Sequence, residues 1–288
     1  MTKHTENPQT LLQADVSALH RRTLLAFMSA TALAGCGGGG ASNLANAVST
    51  VLGVGTVSTT SLKSKGTGDA YNCSVYTPAN YHSSGRTYPI IYALDGDPWM
   101  STMVLVMDLL QIPAILIGIG RSDLRERDYL MPGCAGFFQF LTLELIPFIE
   151  GGLRVQSGQR TLVGHSYGGV FCAWAFFVDR LAGRLFANFL SQDGTFRPTS
   201  PTDLSVQAIT ALIDLLLAKG GPGASTLLLF DSTDPSTGNG PFVASLYAAI
   251  ARLAFVGLTL VLQDYSADHN GMLSPSFGDG MRRLIPAG

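Results

Sequence analysis

A serine framed by glycines, in the sequence GHSYG at residues 164–168, sets the strongest limit on how this 288-residue chain folds. A short run rich in β-forming residues, Thr161 to Val163, comes before it, and an apolar segment of helical character follows. This strand–turn–helix junction is the context of a nucleophile elbow, in which a sharp turn exposes a serine hydroxyl beside the first amides of a helix. The junction therefore predicts that Ser166 is a nucleophile.

The composition favours one α/β domain with a large core, because 47% of the residues are hydrophobic and only 13% are charged. A formal net charge of −2 gives no sign of a surface that binds nucleic acid. The sequence also has no zinc-type spacing of cysteine and histidine and no phosphate-binding loop. We therefore set aside nucleic-acid-binding proteins, zinc proteins and P-loop enzymes, and we expect no metal.

The amino terminus is typical of an export signal. Arg21 and Arg22 precede an apolar run over residues 23–34, which is too short to span a bilayer comfortably and has the layout of a signal peptide. The run ends in Leu33-Ala34-Gly35-Cys36, which resembles a bacterial lipoprotein box, and the paired arginines resemble a twin-arginine signal. An ordinary cleavable signal with an incidental cysteine is the alternative.

These features predict three segments: a signal peptide over residues 1–35, a lipidated Cys36 with a flexible tether over residues 36–56, and a catalytic domain over residues 57–288. The protein would then be exported to the periplasm or cell envelope and anchored there by lipid at Cys36. The three other cysteines, Cys73, Cys134 and Cys172, allow at most one internal disulfide. We expect buried free thiols at Cys73 and Cys172.

Beyond the tether, two extended segments predict an antiparallel hairpin, and strands then alternate with helical patterns of ten or more residues. This alternation predicts an α/β fold with a mostly parallel central sheet covered by helices on both faces. Ligands bind at the carboxyl ends of the strands in such sheets. The predicted strands are Val57–Lys63, Ala70–Thr77, Tyr88–Leu94, Ala114–Ile119, Thr161–Val163, Phe186–Leu190, Thr226–Phe230 and Leu258–Leu262; the predicted helices are Trp99–Leu110, Phe137–Ile149, a helix from the elbow to about Leu181, Leu204–Lys219 and Pro241–Leu253.

A serine hydroxyl needs a base within hydrogen-bond reach and an acid that orients the base. If the nucleophile–acid–histidine order of α/β-hydrolases applies, the base must follow Ser166, and His269 is the only histidine that does. The acid must be an aspartate, because no glutamate follows Glu150. We predict Asp234, a few residues beyond the predicted strand Thr226–Phe230, with Asp231 as the alternative acid.

Asp193 is a third option for the acid, but its place before a glycine is more typical of a turn aspartate. For the oxyanion hole, the backbone amide of Tyr167 supplies one predicted donor, because this residue follows the nucleophile. The second predicted donor is the amide of Asp97 in the loop Asp95-Gly96-Asp97, where Gly96 permits the required turn. A plain turn at the end of a strand is the alternative for that loop.

A succession of motifs from about Leu62 to the end of the chain resembles the esterase-D-like "putative esterase" family of α/β-hydrolases. The motifs are Ser74–Pro78, Tyr88–Gly96, Gly118–Arg121, Arg127–Tyr129, Phe138–Ile149, the elbow and His269-Asn270. The family includes enterochelin-type siderophore esterases, S-formylglutathione hydrolases and feruloyl or acetylxylan esterases. The resemblance implies Ser/Asp/His ester hydrolysis without a cofactor, although the aspartates of the acid loop depart from the family's usual pattern.

Only a short stretch, Arg197 to Ser225, has room for a lid, which predicts an open cleft. Arg121, Arg125 and Arg127 follow the strand that ends near Ile119 and suit an anionic ester, although a solvated charged loop explains them equally well. Trp99 and Phe137 could stack on an aromatic acyl group, or they could pack in the core.

We therefore predict an exported serine carboxylic-ester hydrolase that acts on a small-molecule ester of the siderophore or aromatic-acid type. Two alternatives remain. An acyltransferase could share the fold, and a surface lipoprotein could use a degenerate cleft only to hold a ligand.

Overall fold

The computed structural model describes residues 53–285, which form a single mixed sheet of eight strands with helices on both sides. The signal peptide, Cys36 and most of the predicted tether lie outside the described residues. The strands are β1 (Thr56–Lys63), β2 (Ala70–Thr77), β3 (Tyr88–Ala93), β4 (Ile115–Ile119), β5 (Val155–His165), β6 (Asn188–Gln192), β7 (Ser225–Ser232) and β8 (Leu258–Tyr265).

Helices occupy most of the connections between the strands. They are α1 (Tyr81–Ser84), α2 (Gly96–Leu109), α3 (Arg125–Tyr129), α4 (Cys134–Gln139), α5 (Ile146–Glu150), α6 (Tyr167–Leu181), α7 (Ser205–Ala218), α8 (Gly240–Ala251) and α9 (Leu273–Leu284). A π-helical segment, Phe140–Leu145, joins α4 to α5, so the helix predicted over Phe137–Ile149 lies within a longer continuous helical region.

The strand order is β1-β2-β4-β3-β5-β6-β7-β8. Strand β2 pairs antiparallel with both β1 and β4, and every other neighbouring pair is parallel. The predicted hairpin and the predicted mostly parallel sheet are therefore confirmed. Because β3 and β5 to β8 run in the same direction, their carboxyl ends meet at one edge of the sheet, where a site is expected.

The sheet is buried on both faces, and two hydrophobic clusters pack against it. The helix α9 was not predicted, because Pro275, Gly278 and Gly280 interrupt its helical pattern. The packing explains one of these residues: a Cβ at Gly280 would lie 2.6 Å from the Leu190 side chain of β6. A glycine at this position lets α9 approach the sheet without displacing the Leu190 side chain.

The predicted buried free thiols at Cys73 and Cys172 are confirmed, and Cys134 is also a buried free thiol. Within residues 53–285, no single helix has the length and apolar composition needed to cross a bilayer. One pair of helical segments, Ser122–Tyr129 and Cys134–Glu150, passes that test of length and composition when taken together, and the two segments are bent by 107°.

Candidate active site

Ser166 lies at the sharp turn between the end of β5 and the start of α6. Its backbone has φ 61° and ψ −117°, a region that a residue with a side chain rarely adopts, and its exposed fraction is 7%. A residue held in such a conformation costs of order 1–3 kcal/mol and persists only where the surroundings enforce it. The predicted elbow is therefore present, with a strained serine beside the first amides of a helix.

Glycines on either side of Ser166 make this turn possible. A Cβ added to Gly164 would lie 2.1 Å from the carbonyl oxygen of Gly168, so the strand and the helix touch backbone to backbone. A Cβ added to Gly169 would lie 2.9 Å from Gly194 Cα. The absence of a Cβ at Gly164 therefore permits the tight elbow, and its absence at Gly169 permits the close packing of α6 on the loop that follows β6.

His269 lies in the loop after β8, and its imidazole contacts a buried carboxylate. His269 Nδ1 is 2.5 Å from Asp193 Oδ2; the histidine side chain is 26% exposed, and the aspartate side chain is fully buried. Burial opposes ionisation of Asp193, but the hydrogen bond from the side chain of His269 helps to hold its pKa below the ordinary value. Asp193 can therefore orient the imidazole as a carboxylate.

The preferred prediction for the acid is corrected here, because the carboxylate on His269 Nδ1 belongs to Asp193 and not to Asp234. Asp234 Oδ1 instead accepts a hydrogen bond from the amide of Ser236, 2.9 Å away, and this bond lowers the pKa of Asp234. The alternative acid, Asp231, lies beside Asp193 rather than on the imidazole. Both aspartates are close to the site, but neither contacts the ring nitrogen that Asp193 occupies.

The position of Asp193 explains why it reaches the histidine. It directly follows β6, its amide donates to the carbonyl of Phe230 in β7 (2.7 Å), and its φ of 43° turns the chain at the edge of the sheet. The sequence does contain a signal for this role. The strand β6 is next to β5, so an aspartate directly after β6 lies at the same edge of the sheet as the serine. The Asp-Gly pair concealed it, since that pair is also typical of a plain turn.

His165, the residue before the serine, is part of the site, although the sequence gives no reason to assign it a role. Its Nε2 donates to the backbone carbonyl of His269 (2.7 Å), and the two imidazole rings lie 4.3 Å apart between centroids. Burial and the neighbouring His269 lower the pKa of His165 to about 4. His165 is therefore neutral at physiological pH, and its hydrogen bond to the His269 carbonyl helps to fix the loop that carries His269.

A cavity of about 290 Å³ opens above the serine. Because the side chains of His269 and Arg125 are 26% and 29% exposed, the cavity is accessible to solvent. Ser166 Oγ also lies 3.5 Å from the hydroxyl of Thr195, which comes from the loop that carries Asp193. The cavity is lined by Asp95, Pro98, Trp99, Ser122, Arg125, His165, Ser166, His269 and Asn270.

Some of the predicted substrate-binding residues line the cavity, and the others lie elsewhere in the structure. Arg125 lines the cavity, but Asp95 binds its guanidinium through both carboxylate oxygens (3.2 and 2.9 Å), and His165 O also accepts from it (3.1 Å). Arg121 instead pairs with Asp123 (3.0 Å). Trp99 lines the cavity and packs edge-on against His165, whereas the predicted aromatic Phe137 is buried in the core.

Arg127 lies with Arg121 in a separate charged cluster, where it contacts Asp69 and Asp128. Of the three predicted arginines, Arg125 is therefore the one that the structure brings to the serine.

The oxyanion-hole residues occupy the two expected helix starts. The amide of Tyr167 is the first N–H of α6, where no carbonyl within the helix is available to it. Asp97 lies in the first turn of α2, and its carboxylate accepts from the amide and hydroxyl of Ser122 (3.2 and 2.8 Å). A Cβ at Gly96 would lie 2.3 Å from Gly118, so this loop requires glycine. Donation by Tyr167 and Asp97 to a substrate stays a prediction.

Within residues 53–285, no group of three or more histidine, cysteine, aspartate or glutamate side chains could hold a metal ion.

We compared the sequence with known protein families. Residues 64–198, which include the hairpin turn, the elbow and Asp193, match the family model described as "Putative esterase". This segment is therefore similar to the esterase family that the model describes. A curated relative, the ferri-bacillibactin esterase BesA of Bacillus subtilis, is 31% identical over 117 residues, which cover 29% of this chain and 40% of that relative. The match to BesA thus spans well under half of the relative's length.

Solved structures share the fold. An IroE-like serine hydrolase from Shewanella oneidensis superposes with a TM-score of 0.70 at 24% identity, covering 80% of each chain. The siderophore hydrolase EstA from Aspergillus nidulans superposes with a TM-score of 0.67 at 18% identity, covering 79% of this chain and 93% of the other. At these identities the similarity establishes the fold, which is that of the α/β-hydrolases.

Proposed function

We propose that this protein is an exported serine esterase that hydrolyses a carboxylic ester through an acyl-enzyme. The observation that supports it most strongly is the contact between His269 Nδ1 and Asp193 Oδ2, in a cavity that the strained Ser166 also lines. An oriented imidazole and a serine that lines the same cavity are the arrangement that nucleophilic acyl transfer needs. The match of residues 64–198 to an esterase family adds independent support.

The reaction would proceed in two halves. His269 Nε2 takes the proton from the Ser166 hydroxyl as Oγ attacks the ester carbonyl, because Nδ1 is held by Asp193. The oxyanion of the tetrahedral intermediate accepts from the amide of Tyr167 and from a second amide at the start of α2. Collapse breaks the ester C–O bond, His269 protonates the leaving alcohol, and water then hydrolyses the acyl-enzyme by the same steps in reverse roles.

For the substrate we propose a siderophore-type or aromatic-acid ester. BesA is named a ferri-bacillibactin esterase, and EstA is named a siderophore hydrolase. The cavity carries an indole at Trp99 and a partly exposed guanidinium at Arg125, which suit an aromatic, electron-rich acyl group. Because the cavity is open to solvent beside the partly exposed His269, an ester larger than 290 Å³ could extend beyond it.

Export and anchoring are proposed from the sequence alone. The signal-like residues 1–35 and the box that ends at Cys36 support a lipid anchor that holds the domain in the cell envelope. The full chain produced in a bacterium should incorporate labelled palmitate and sediment with membranes, and Cys36→Ser should do neither. Incorporation of label by Cys36→Ser would contradict this proposal.

The test of the activity is a panel of esters incubated with the described domain. The panel contains short-chain nitrophenyl esters, a feruloyl ester and catecholate trilactones with and without iron, and products are scored by release of free acid. We expect hydrolysis that Ser166→Ala reduces by several orders of magnitude. Full turnover by Ser166→Ala would refute the mechanism, and transfer of acyl groups to an added alcohol without free acid would favour an acyltransferase.

A further inference from the structure

Two aspartates lie side by side behind His269, and the proposed reaction uses only one of them. Gln192 of β6 pairs with Phe230 of β7 in parallel register, so the next residues along the two chains, Asp193 and Asp231, are neighbours at the edge of the sheet. Their exposed fractions are 0% and 6%. Two ionised carboxylates this close and this buried would repel each other strongly.

Each of these carboxyl groups has one oxygen without a hydrogen-bond partner among the described residues, Asp193 Oδ1 and Asp231 Oδ1. Asp193 Oδ2 contacts His269, and Asp231 Oδ2 lies beside Gly240, where an added Cβ would be 2.6 Å away. Buried polar atoms are rarely left unpaired, because each costs about 1–3 kcal/mol of desolvation. A proton shared between the two carboxyl groups would satisfy both atoms.

We propose that Asp231 is a positioning residue, whose protonated carboxyl donates a hydrogen bond to Asp193 Oδ1 and so holds Asp193 Oδ2 on His269. The inference rests on the proposed Ser166 mechanism, which it deepens. Asp231 touches neither substrate nor the serine, and it acts only through Asp193. The proton sits on Asp231 because His269 and the side chain of Asn239 stabilise the negative charge on Asp193.

The surroundings favour this distribution of charge. Burial and the charge of Asp193 raise the pKa of Asp231 to about 8, and Asp264, its register partner in β8, adds a smaller contribution of the same sign. The amide of Ser232 hydrogen-bonds to Asp231 and opposes the rise. At the start of α8, Asn239 and Gly240 bring no charge, and Asp234 adds a further negative charge near Asp193.

The test compares two replacements of Asp231 in the whole protein. Asp231→Asn keeps a hydrogen-bond donor toward Asp193, whereas Asp231→Leu removes the donor and keeps a side chain that branches at the same atom. We expect Asp231→Asn to retain kcat within a few-fold of wild type at pH 7, and Asp231→Leu to lower kcat by about 10- to 100-fold with little change in KM. Asp264→Asn, an exposed aspartate on the neighbouring strand, is the matched control and should leave kcat unchanged at pH 7.

Two further readouts separate positioning from mere support of the fold. The kcat of wild type should fall above about pH 8 as Asp231 ionises, and Asp231→Asn should lose that fall. The downfield proton resonance of His269 Nδ1–H, assigned by its loss in His269→Gln, should persist in Asp231→Asn and shift or vanish in Asp231→Leu.

Wild-type kcat and an unchanged His269 resonance in Asp231→Leu would overturn the inference. So would equal losses in Asp231→Asn and Asp231→Leu, since a charged Asp231 would then be required. The NMR comparison needs no substrate, so it still decides the Asp231 contact if the wild-type protein hydrolyses no ester. Absence of ester hydrolysis by the wild-type protein would refute the proposed function, independently of the NMR result. If Asp231→Leu fails to fold, the pH profile and resonance of Asp231→Asn still decide.

Discussion

His269 Nδ1 lies 2.5 Å from Asp193 Oδ2, although the two residues are 76 positions apart in the chain. They meet because β6 and β8 end at the same edge of the sheet, where the loops after both strands face the serine. The aspartate is fully buried and the histidine is partly exposed. The carboxylate is therefore fixed by the protein interior, while the imidazole reaches the cavity.

This contact predicts which aspartate supports catalysis. Asp193→Asn should lower kcat by about 10³- to 10⁴-fold, because an amide stabilises neither the required tautomer nor the imidazolium. Asp234→Asn should retain most of the activity, since Asp234 contacts the backbone amide of Ser236. Steady-state hydrolysis of a nitrophenyl ester measures both, and a larger loss in Asp234→Asn would reverse the assignment.

The close packing of α6 on the loop after β6 predicts an effect of a single methyl group. Gly169→Ala would place its Cβ 2.9 Å from Gly194 Cα and 3.1 Å from Gln192 O, which must displace the segment that carries Asp193. We expect the free energy of unfolding to fall by about 1–3 kcal/mol, with a loss of kcat. Urea unfolding and ester hydrolysis are the measurements.

The control for this methyl group is Gly136→Ala in α4, where a Cβ would meet nothing within 4 Å. It should be neutral or stabilising by up to about 1 kcal/mol, because alanine favours a helix over glycine. Equal stability of Gly169→Ala and Gly136→Ala would show that the loop tolerates displacement.

Burial of neutral His165 predicts how stability changes with pH. Its pKa is about 4 in the folded protein and about 6.5 in the unfolded chain. As pH falls from 6.5 to 4, the unfolded chain takes up a proton that the folded protein does not, so the free energy of unfolding decreases. The slope from this residue is at most about 1.4 kcal/mol per pH unit.

His165→Gln removes this titration, so the difference in unfolding free energy between wild type and His165→Gln should shrink as pH falls through that window. Urea unfolding at several pH values measures it, with His82→Gln, an exposed histidine, as the control. A difference that stays constant with pH would contradict burial of the neutral imidazole.

The ion pair between Arg125 and Asp95 links the loop after β3 to the elbow. Arg125→Lys cannot bind both oxygens of Asp95 and also the carbonyl of His165, so the loop that faces the oxyanion should shift. We expect a loss in kcat/KM on the order of 10²-fold. Arg121→Lys, which alters the pair with Asp123, should change kcat/KM little; equal effects of the two would contradict the proposed link.

Much of this architecture could be predicted from the sequence. The antiparallel hairpin, the alternation of strands and helices and the elbow at Ser166 each depend on local patterns of apolar residues and glycine. The position of His269 followed from chain order, because no other histidine comes after the serine. These features need no knowledge of how distant segments pack.

The acid could not be predicted in this way. The loops after β6 and β7 both begin at the edge of the sheet where the serine lies. Which loop supplies the acid depends on the positive φ of Asp193 and on its amide contact with Phe230. Neither is visible in a sequence in which Asp193-Gly194 is more typical of a turn. The helix α9 was not predicted for a related reason, since the Leu190 side chain that packs against Gly280 lies on a distant strand.

Covalent labelling with a fluorophosphonate probe, followed by intact mass measurement and peptide mapping, tests whether Ser166 is the nucleophile. We expect one adduct per chain on the peptide that contains Ser166, no adduct in Ser166→Ala, and slower labelling in Asp193→Asn. Ester hydrolysis by a protein that forms no adduct, or an adduct on another residue, would contradict this role of Ser166.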